Sequence, residues 1–494
     1  MTIRLAAEAR GAYRKKFLDQ LLAHAEGQIE LVVHFGDAKA DFDMPGLVRM
    51  ERVKARRGHV LDRPYSGADL PLLTSRSFTA SMEMTIDQLN RNAAAYHYRS
   101  HKLAQLQDYV DYYHILADSL AARLVESGAT HLLLFDVPHL AVDTILYDLA
   151  RAMGLKVLIV TQYEPDRIYS LAQIEDLGIF NPDGLTANAW PIDPNAEQKL
   201  FYMNNEWQKS SQLGKLSSKA MLNLAVYLIR RDPRLLLRPN ALRETITRMQ
   251  SVSKQLPNWR DPFARFFSMD ELAYAESLVG FENTEIDLAK PYVYVPLHLQ
   301  PEMTTSSLGG IYRDQALMIE ALHNILPQGW HIYVKENPKQ GSYARGPMFF
   351  ERLSRIPSVT FIPAGADTGV LTRHSKLVAT VTGTAGWEAI QKGIPALVFG
   401  AAWYQSLDGV HAYTSNIDLA QIAEEGVDIN ALSKQAGILF SRGHAGNVDK
   451  GFFAHSSEFD AETNAAAVGK ILCNLLLGES ELSFGVSNGK ARKI

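Results

Sequence analysis

The chain has 494 residues, of which 47% are hydrophobic and 21% charged, a composition typical of a globular protein large enough for two domains. The formal net charge of −4 provides no overall positive field, which disfavours a nucleic-acid-binding function. Cys473 is the only cysteine, so the chain holds no internal disulfide framework and no zinc site of several thiolates, and it suits a reducing compartment.

The sequence signals neither secretion nor membrane insertion. Residues 1–14 carry scattered charges and lack the apolar segment of a signal peptide. No stretch reaches the roughly 18 consecutive apolar residues that a membrane-spanning helix needs. We therefore expect a cytoplasmic protein whose contact with a membrane is at most peripheral.

The first half of the chain contains a βαβ unit. An apolar run predicts a first buried strand at 30–35, and helical spacing predicts a long helix at 100–126. A strand at 131–135, a helix at 139–153 and a strand at 156–161 then form the unit. Such a unit implies parallel strands, with functional loops at their carboxyl ends.

Asp136 and His139 flank the loop that follows the strand at 131–135. Imidazole and carboxylate both take up protons near neutral pH, so either residue could act as a general base toward an acceptor hydroxyl. Asp136 could instead cap the helix that follows, and the two roles are compatible. Asp143, further into that helix, is a weaker candidate.

Residues 204–256 have a helical and rather basic pattern. The arginines alternate with leucine and isoleucine, and they are Arg230, Arg231, Arg234, Arg238 and Arg243. The pattern fits a solvated helix face packed on the domain. It also fits a surface that touches anionic lipid or a charged acceptor, which would place a peripheral contact with the inner face of the membrane at 215–243.

Alternating strands and helices from residue 290 onward predict a second domain with a doubly wound sheet. The predicted strands are 292–296, 331–335, 359–362, 377–381 and 396–399, and the predicted helices are 314–326, 384–392 and 462–477. The expected boundaries are an N-terminal domain at 1–270, a C-terminal domain at 290–455, a terminal helix at 460–478 and a mobile polar tail at 479–494.

Polar clusters follow three strands of the second domain, and strand carboxyl ends build one common crevice. They comprise His298, Gln300, Glu302 and Thr305 after the first strand, Lys335, Glu336 and Asn337 after the second, and Thr382, Gly383, Thr384 and Glu388 after the third. We interpret these residues as a nucleotide-binding set. A polar loop, a charged turn and a capped helix are the alternative interpretations of the three clusters.

Each cluster suits a different part of a nucleotide. The Lys335 ammonium and the Asn337 amide can bind phosphate oxygens. The turn at Gly383 leads into a helix whose free amides can also bind an anion. Glu388, about one turn inside that helix, can accept hydrogen bonds from ribose hydroxyls.

We expect no metal ion and no cofactor. Asp41-Phe42-Asp43 spells a D-x-D motif, but no suitable strand follows, so we interpret it as a surface turn. No other acidic or histidine cluster has the spacing of a metal site. The chain also lacks a Walker loop and the G-x-S-x-G elbow of α/β-hydrolases.

Several of these segments resemble the bacterial capsule and surface-carbohydrate biosynthesis proteins, which include Kdo-transferring enzymes. The segments are P-L-H-L-Q-P-E at 296–302 with Thr304-Thr305, G-W-H-I-Y-V-K-E-N-P at 329–338, V-T-G-T-A-G-W-E-A at 381–389, and Gly393-Ile394-Pro395 leading to Phe399-Gly400 and Trp403-Tyr404. Pro138-His139 with Asp143 is similar to a further family segment.

The resemblance implies a GT-B fold, in which two Rossmann-like doubly wound α/β domains face a central cleft. It implies a glycosyltransferase that takes a CMP-activated acidic sugar, of the Kdo or nonulosonic kind, and delivers it to a glycan or glycolipid acceptor. Donor binding would fall to the second domain and acceptor binding to the first. Such donors have a single bridging phosphate, so no metal is obligatory.

One departure from the family pattern leaves other functions open. Asn337-Pro338 stands where the family often has His-Pro, and asparagine can form hydrogen bonds but cannot act as an acid. This departure keeps open a non-catalytic scaffold of polysaccharide assembly, and a nucleotide-sugar epimerase of the same fold is a further alternative to a transferase.

Overall fold

The computed structural model describes most of the chain. The described residues are 2–36, 42–43, 63–91, 97–98, 101–103, 105–182, 185–196, 226, 229–230, 233–244, 246–247, 274, 276–278, 280–281, 284–300, 302–337, 340, 345–456, 460–487 and 490–494.

The chain forms two compact α/β units with largely parallel sheets, which confirms the predicted fold class. The first unit combines Met1–Trp190, Pro301–Leu308 and Lys434–Ile494, and the second combines Pro191–Gln300 and Gly309–Ser433. These boundaries differ from those expected at 270, 290 and 455. The difference arises because residues after 434 return to the first unit instead of continuing the second.

Strands of the first unit form a seven-stranded sheet in the order β15-β8-β7-β6-β1-β2-β3. They are β1 Ile3–Glu8, β2 Ile29–Gly36, β3 Phe42–Asp43, β6 His131–Phe135, β7 Lys156–Glu164, β8 Arg167–Leu171 and β15 His444–Ala445. All pairs are parallel except β7 with β8 and β8 with β15. Two small hairpins stand apart, β4 His97–Tyr98 with β5 His101–Lys102, and β16 Val486–Ser487 with β17 Lys490–Ala491.

Helices of the first unit cover its sheet. They are α1 Ala12–His24, α2 Leu70–Leu73, α3 Phe78–Arg91, α4 Leu106–Ser127, α5 Val142–Ala152, α6 Met303–Ser306, α13 Lys450–Phe453 and α14 Ala461–Leu476. Helix α4 ends at Gly128, whose φ of 60° is the left-handed conformation that glycine adopts at helix ends. Side chains of β1, β6 and β7 pack with α1 and α14 in one apolar core.

The second unit has a six-stranded, wholly parallel sheet in the order β11-β10-β9-β12-β13-β14. Its strands are β9 Tyr292–Pro296, β10 His331–Lys335, β11 Val359–Ile362, β12 Leu377–Thr380, β13 Ala396–Val398 and β14 Val410–Ala412. Its helices include α7 Gln315–Asn324, α8 Pro347–Ser354, α9 Thr368–His374, α10 Thr384–Ile390 and α11 Leu419–Glu425, and α12 Ile429–Ser441 spans the boundary at 434. Separate apolar clusters fill the two faces of the sheet.

Two predictions about the chain termini were wrong. β1 precedes the strand that was expected to be first, and it lies between β2 and β6 in the sheet. The expected mobile tail contains the β16–β17 hairpin, and its Leu482 and Phe484 are fully buried. The Phe484 amide donates to the Ser170 carbonyl at 3.0 Å, which joins the tail to the end of β8.

Other predictions fall partly outside the described residues. Phe42–Asp43 forms strand β3 beside β2, so the surface-turn interpretation is wrong for these two residues, and Asp41 is not described. Much of 215–243, including Arg231, also lies outside the described residues. No helix in the described ranges is long and apolar enough to cross a membrane.

Candidate functional site

Three strands bring the predicted nucleotide-binding clusters to one edge of the second sheet. Strand β9 lies between β10 and β12 with all three parallel, so their carboxyl ends are neighbours. Pro296 pairs with Lys335, and Val293 pairs with Leu377. The expectation that these loops share one sheet edge therefore matches the strand order.

Lys335 and Glu388 form the electrostatic centre of this edge. The Lys335 ammonium donates to Thr368 Oγ1 at 3.0 Å, and burial lowers the pKa of Lys335 while Asp367 and Glu388 oppose that change. Burial raises the pKa of Glu388 to about 7, against the opposing charges of Lys392 and Lys335. Glu388 accepts no hydrogen bond from any other described residue, so its oxygens are available to a ligand.

Position 383 requires a glycine because the His298 ring lies very close to its backbone. A Cβ atom at position 383 would lie 2.6 Å from His298 Cε1 and 2.9 Å from Thr380 Oγ1. His298 Nε2 lies 2.6 Å from the same Thr380 hydroxyl, and burial lowers the pKa of His298 to about 3. A neutral, enclosed imidazole favours a supporting role for His298 over direct phosphate binding.

Tyr404 stabilises the turn from β12 into α10 through a hydrogen bond. Its hydroxyl donates to the Gly383 carbonyl, and the Gly383 amide donates to Thr380 Oγ1 at 3.2 Å. Thr382 is buried, and Thr384 is the first residue of α10. This helix has only seven residues, so its dipole adds little to an anion site.

Glu336 forms a buried ion pair that the sequence did not reveal. Arg345 donates to Glu336 Oε1 and to the His298 carbonyl, and the Asn337 amide donates to the same Glu336 oxygen at 2.6 Å. The side chains of Arg345 and Glu336 are 0% and 2% exposed. The pair fixes the loops after β9 and β10, which gives Glu336 a structural role and brings the Asn337 backbone into the same network.

Gln300 belongs to a network of three glutamines. Its side chain donates to the Arg313 carbonyl at 2.9 Å and accepts from Gln315 Nε2 at 2.9 Å. Its backbone exchanges hydrogen bonds with the Gln340 amide group at 2.8 and 3.0 Å. Both ends of the Gln300 side chain are thus engaged within the protein, which makes it a loop-fixing residue.

Glu302 and Thr305 are not grouped with the second sheet. They lie at the start of α6, in the segment that clusters with the first unit. They form a capping box, and the fully buried Thr305 hydroxyl donates to the Glu302 carbonyl at 3.2 Å. Glu302 and Thr305 therefore belong to a different unit from Lys335 and Glu388, and their nucleotide-binding role stays a prediction.

In the first unit, Asp136 directly follows β6 in an unusual backbone conformation. Its φ is 101°, a backbone conformation that non-glycine residues seldom adopt. Such a conformation persists only where surrounding contacts stabilise it. Asp136 Oδ1 accepts from the Val137 amide at 2.8 Å and from Thr161 Oγ1 at 2.9 Å. Burial raises the pKa of Asp136, with His139 and Thr161 opposing the rise. Helix α5 begins at Val142, so Asp136 does not cap it.

His139 is half-buried and has a defined tautomer. Its Nδ1 lies 2.7 Å from the Val137 carbonyl oxygen, which can only accept, so Nδ1 carries the proton. The lone pair of the neutral ring is then on Nε2, which suits a general base. Asp143 holds the loop, because its carboxylate accepts from the amides of His139 at 3.1 Å and Leu140 at 2.7 Å.

Glu8, at the end of β1, lies in the same charged cluster and was missed in the sequence. It is 4% exposed and pairs with Arg10 Nε at 3.1 Å and Arg14 Nη1 at 3.6 Å. Burial raises the pKa of Glu8 to about 7, with Arg10 opposing and the nearby Asp143 adding to the rise. Because β1 itself went unrecognised, nothing in the sequence placed Glu8 beside the carboxyl end of β6.

The described residues include no group of three or more histidine, cysteine, aspartate or glutamate side chains that could hold a metal ion. The polar groups identified above centre on Lys335 and Glu388 in the second unit, and on His139 with Asp136, Asp143 and Glu8 in the first.

Comparison with solved structures yields distant similarities. The beta Kdo 2,7 transferase KpsC of Thermosulfurimonas dismutans is 10% identical, with 75% of this chain and 91% of that chain covered and a TM-score of 0.28. The UDP-GlcNAc 2-epimerase of Methanocaldococcus jannaschii is 10% identical over 96% and 99% of the two chains, with a TM-score of 0.23. Similarities this distant assign no reaction. No curated protein matches the chain with significant similarity.

Sequence-family comparison is more specific. Residues 276–423 match the family described as capsule polysaccharide biosynthesis protein. This range contains β9, β10 and β12 and the loops that follow them, on which the motif resemblance was based. The match therefore confirms the motif resemblance to the capsule polysaccharide biosynthesis proteins for residues 276–423.

Proposed function

We propose that this protein is a glycosyltransferase that moves a sugar from a nucleotide donor to a glycan or glycolipid acceptor during surface-polysaccharide synthesis. The donor in this proposal is a CMP-activated acidic sugar of the Kdo or nonulosonic kind. The observation that carries the proposal is His139, whose Nδ1–H is fixed on a carbonyl and whose Nε2 is left to accept a proton.

In the proposed reaction, His139 Nε2 takes the proton of an acceptor hydroxyl. The acceptor oxygen bonds to the anomeric carbon of the sugar, and the bond from that carbon to the phosphate oxygen breaks. The departing electron pair goes to the phosphate of CMP. Asp136, with its raised pKa, is the alternative base at the same loop.

Residues of the second unit would bind the donor. Glu388 would accept hydrogen bonds from the ribose hydroxyls, since its carboxylate has no partner among the described residues. Lys335 would stabilise the departing phosphate as a cation. His298, Gln300, Glu336 and Thr382 would support the loops, while Asn337 and Thr384 remain candidates for direct phosphate contacts.

Peripheral membrane contact at the cytoplasmic face belongs to the same proposal. In the 3₁₀ helix Pro233–Leu237, Leu237 is 83% exposed and is flanked by the exposed Arg234 and Arg238. An exposed apolar side chain among arginines suits a surface of anionic lipid. Leu237→Ser should reduce co-sedimentation with anionic vesicles, and unchanged co-sedimentation would remove this contact from the proposal.

The donor is tested by calorimetry of the full chain against CMP, CDP, UDP, GDP and ADP. Selective binding of CMP supports the proposed donor, and selective binding of UDP or GDP overturns the donor class. Binding of no nucleotide argues against a transferase. Donor turnover without acceptor would identify an epimerase, and binding without any turnover would identify a scaffold.

The base is tested by His139→Ala, which should lower transfer by a factor of about 10²–10⁴ and leave nucleotide affinity unchanged. His374→Ala is a matched control, because His374 Nδ1 lies 2.9 Å from the Val370 carbonyl on an exposed helix end. Transfer by His139→Ala at the level of His374→Ala would rule out His139 as the base.

A further inference from the structure

A basic cavity lies at the edge of the first sheet opposite to His139. This open cavity has a volume of about 350 Å³ and lies between the end of α5, the start of β7, the residues after β8 and residues 492–494. Strands β7 and β8 are antiparallel, which brings the start of β7 beside the end of β8. At about 3.3 Å per residue, the length of β7 separates this cavity from the carboxyl end of the strand by roughly 25 Å.

Four of the nine residues that line this cavity have cationic side chains, and no acidic side chain lines it. The four cations are Arg151, Lys156, Arg492 and Lys493. Carboxylates outside the wall hold the two arginines in place. Arg151 pairs with Glu175 at 3.1 Å, and Arg492 pairs with Asp176 at 2.8 Å.

Each arginine is oriented by an ion pair but keeps hydrogen-bond donors that no described residue uses. Arg151 Nη1 bonds the Tyr147 hydroxyl at 2.9 Å as well as Glu175, while its other nitrogens make no hydrogen bond to a described residue. Arg492 uses Nη1 for its ion pair. A guanidinium presents five donors in a rigid fork, so each arginine keeps donors for a second anion.

The two lysines add positive charge to the lining of the cavity. Lys156 is exposed at the start of β7, and Lys493 is exposed near the end of the chain. Neither forms an ion pair with another described residue. Since the carboxylates of Glu175 and Asp176 balance the two arginines, these lysines leave the cavity with a local positive charge.

We propose that this cavity binds a phosphate-bearing anion. Guanidinium forks match the tetrahedral oxygens of a phosphate, and the lysines add two further positive charges. The volume is at the lower end of the range for small-ligand sites, which suits a compact phosphate compound or a single lipid headgroup. The site is separate from the proposed reaction site and does not depend on the proposed function.

The test uses the full chain and two probes that distinguish the sources of phosphate. Pyrophosphate is titrated by calorimetry, and vesicles of phosphatidylcholine with phosphatidic acid are used in co-sedimentation. Each probe is offered to the wild type, to Lys156→Gln/Lys493→Gln, and to Lys470→Gln. Lys470 is an exposed lysine of α14 that does not line the cavity, so its variant controls for the loss of surface charge.

We expect the double variant to bind one of the probes roughly tenfold more weakly than the wild type, while Lys470→Gln stays close to the wild type. A loss confined to pyrophosphate identifies a soluble phosphate compound, and a loss confined to vesicles identifies a lipid headgroup. Affinity should also fall as salt is added. If the wild type binds neither probe, or if the double variant binds both as well as Lys470→Gln does, the proposal is wrong.

Discussion

Arg345→Met tests whether the buried ion pair organises the loops after β9 and β10. The substitution keeps an unbranched apolar side chain but removes the guanidinium. Glu336 is left as a buried carboxylate without a counter-ion, and the His298 carbonyl loses its donor. The substitution also removes the cation–π contact with Phe349, whose ring centroid lies 5.4 Å from the guanidinium carbon.

The expected loss of unfolding free energy is about 3–5 kcal/mol, the range for removing one partner of a buried pair. Solvent does not screen the remaining charge, because the Glu336 side chain is 2% exposed. The double variant Glu336→Gln/Arg345→Met also removes the unpaired charge of Glu336. The glutamine side-chain oxygen can still accept the hydrogen bond from the Asn337 backbone amide. We expect the double variant to recover roughly half of the loss.

Hydrogen exchange of peptides from β9 and β10 at increasing urea is the suitable assay, because a chain of two units need not unfold in one step. Arg352→Met is the control, since Arg352 is 38% exposed and pairs with Asp314 at 2.7 Å and Glu320 at 2.5 Å. It should cost less than about 1 kcal/mol. A cost for Arg345→Met as small as that of Arg352→Met would refute the reasoning.

Three further predictions concern single side chains. Glu388→Ala should weaken nucleotide binding by roughly 1–3 kcal/mol. Wild-type affinity should rise up to about tenfold from pH 6 to pH 8, because the carboxylate ionises near pH 7; calorimetry that shows no pH dependence would remove Glu388 from the site. Folded Glu8 keeps its proton up to about pH 7 while the unfolded chain loses it near 4.5, so wild-type stability should fall across that window. The stability of Glu8→Gln should not fall in this window, so urea unfolding should show it to be more stable than the wild type above pH 7 by up to about 3 kcal/mol. If the stabilities of the variant and the wild type change with pH in the same way, burial does not raise the pKa of Glu8. Gly383→Ala should destabilise the second unit by about 1–3 kcal/mol through contact with the His298 ring, and thermal unfolding at the wild-type midpoint would show that the ring can move aside.

Strands with continuous apolar runs could be predicted to the residue. β6, β9 and β10 each have three to five consecutive apolar positions, as expected for central parallel strands. β1 was missed because Arg4 and Glu8 interrupt its run and its alanines favour helices. Only its position between β2 and β6 buries it, and that position is a property of the folded sheet.

The candidate site was predictable where it depends on strand ends. Lys335 and Glu388 lie close to those ends, and strand order alone brings the loops together. Arg345 could not be predicted, because nothing in the sequence between β10 and α8 indicates that its side chain meets Glu336 in the folded chain. The assignment of Glu302 and Thr305 to the first unit also depends on tertiary packing, since their segment interrupts the sequence of the second unit.

The return of residues after 434 to the first unit affects how the protein can be synthesised. Gly469 of α14 packs so closely on α1 that a Cβ there would lie 2.8 Å from the Leu21 amide nitrogen. On the ribosome, α1 emerges long before α14, so the part of α1 that packs on Gly469, at Gln20 and Leu21, remains uncovered until α14 has been translated. The second unit can complete its sheet during that interval. A circular permutant that starts near residue 434 and joins residue 494 to residue 1 would instead allow the first unit to close early.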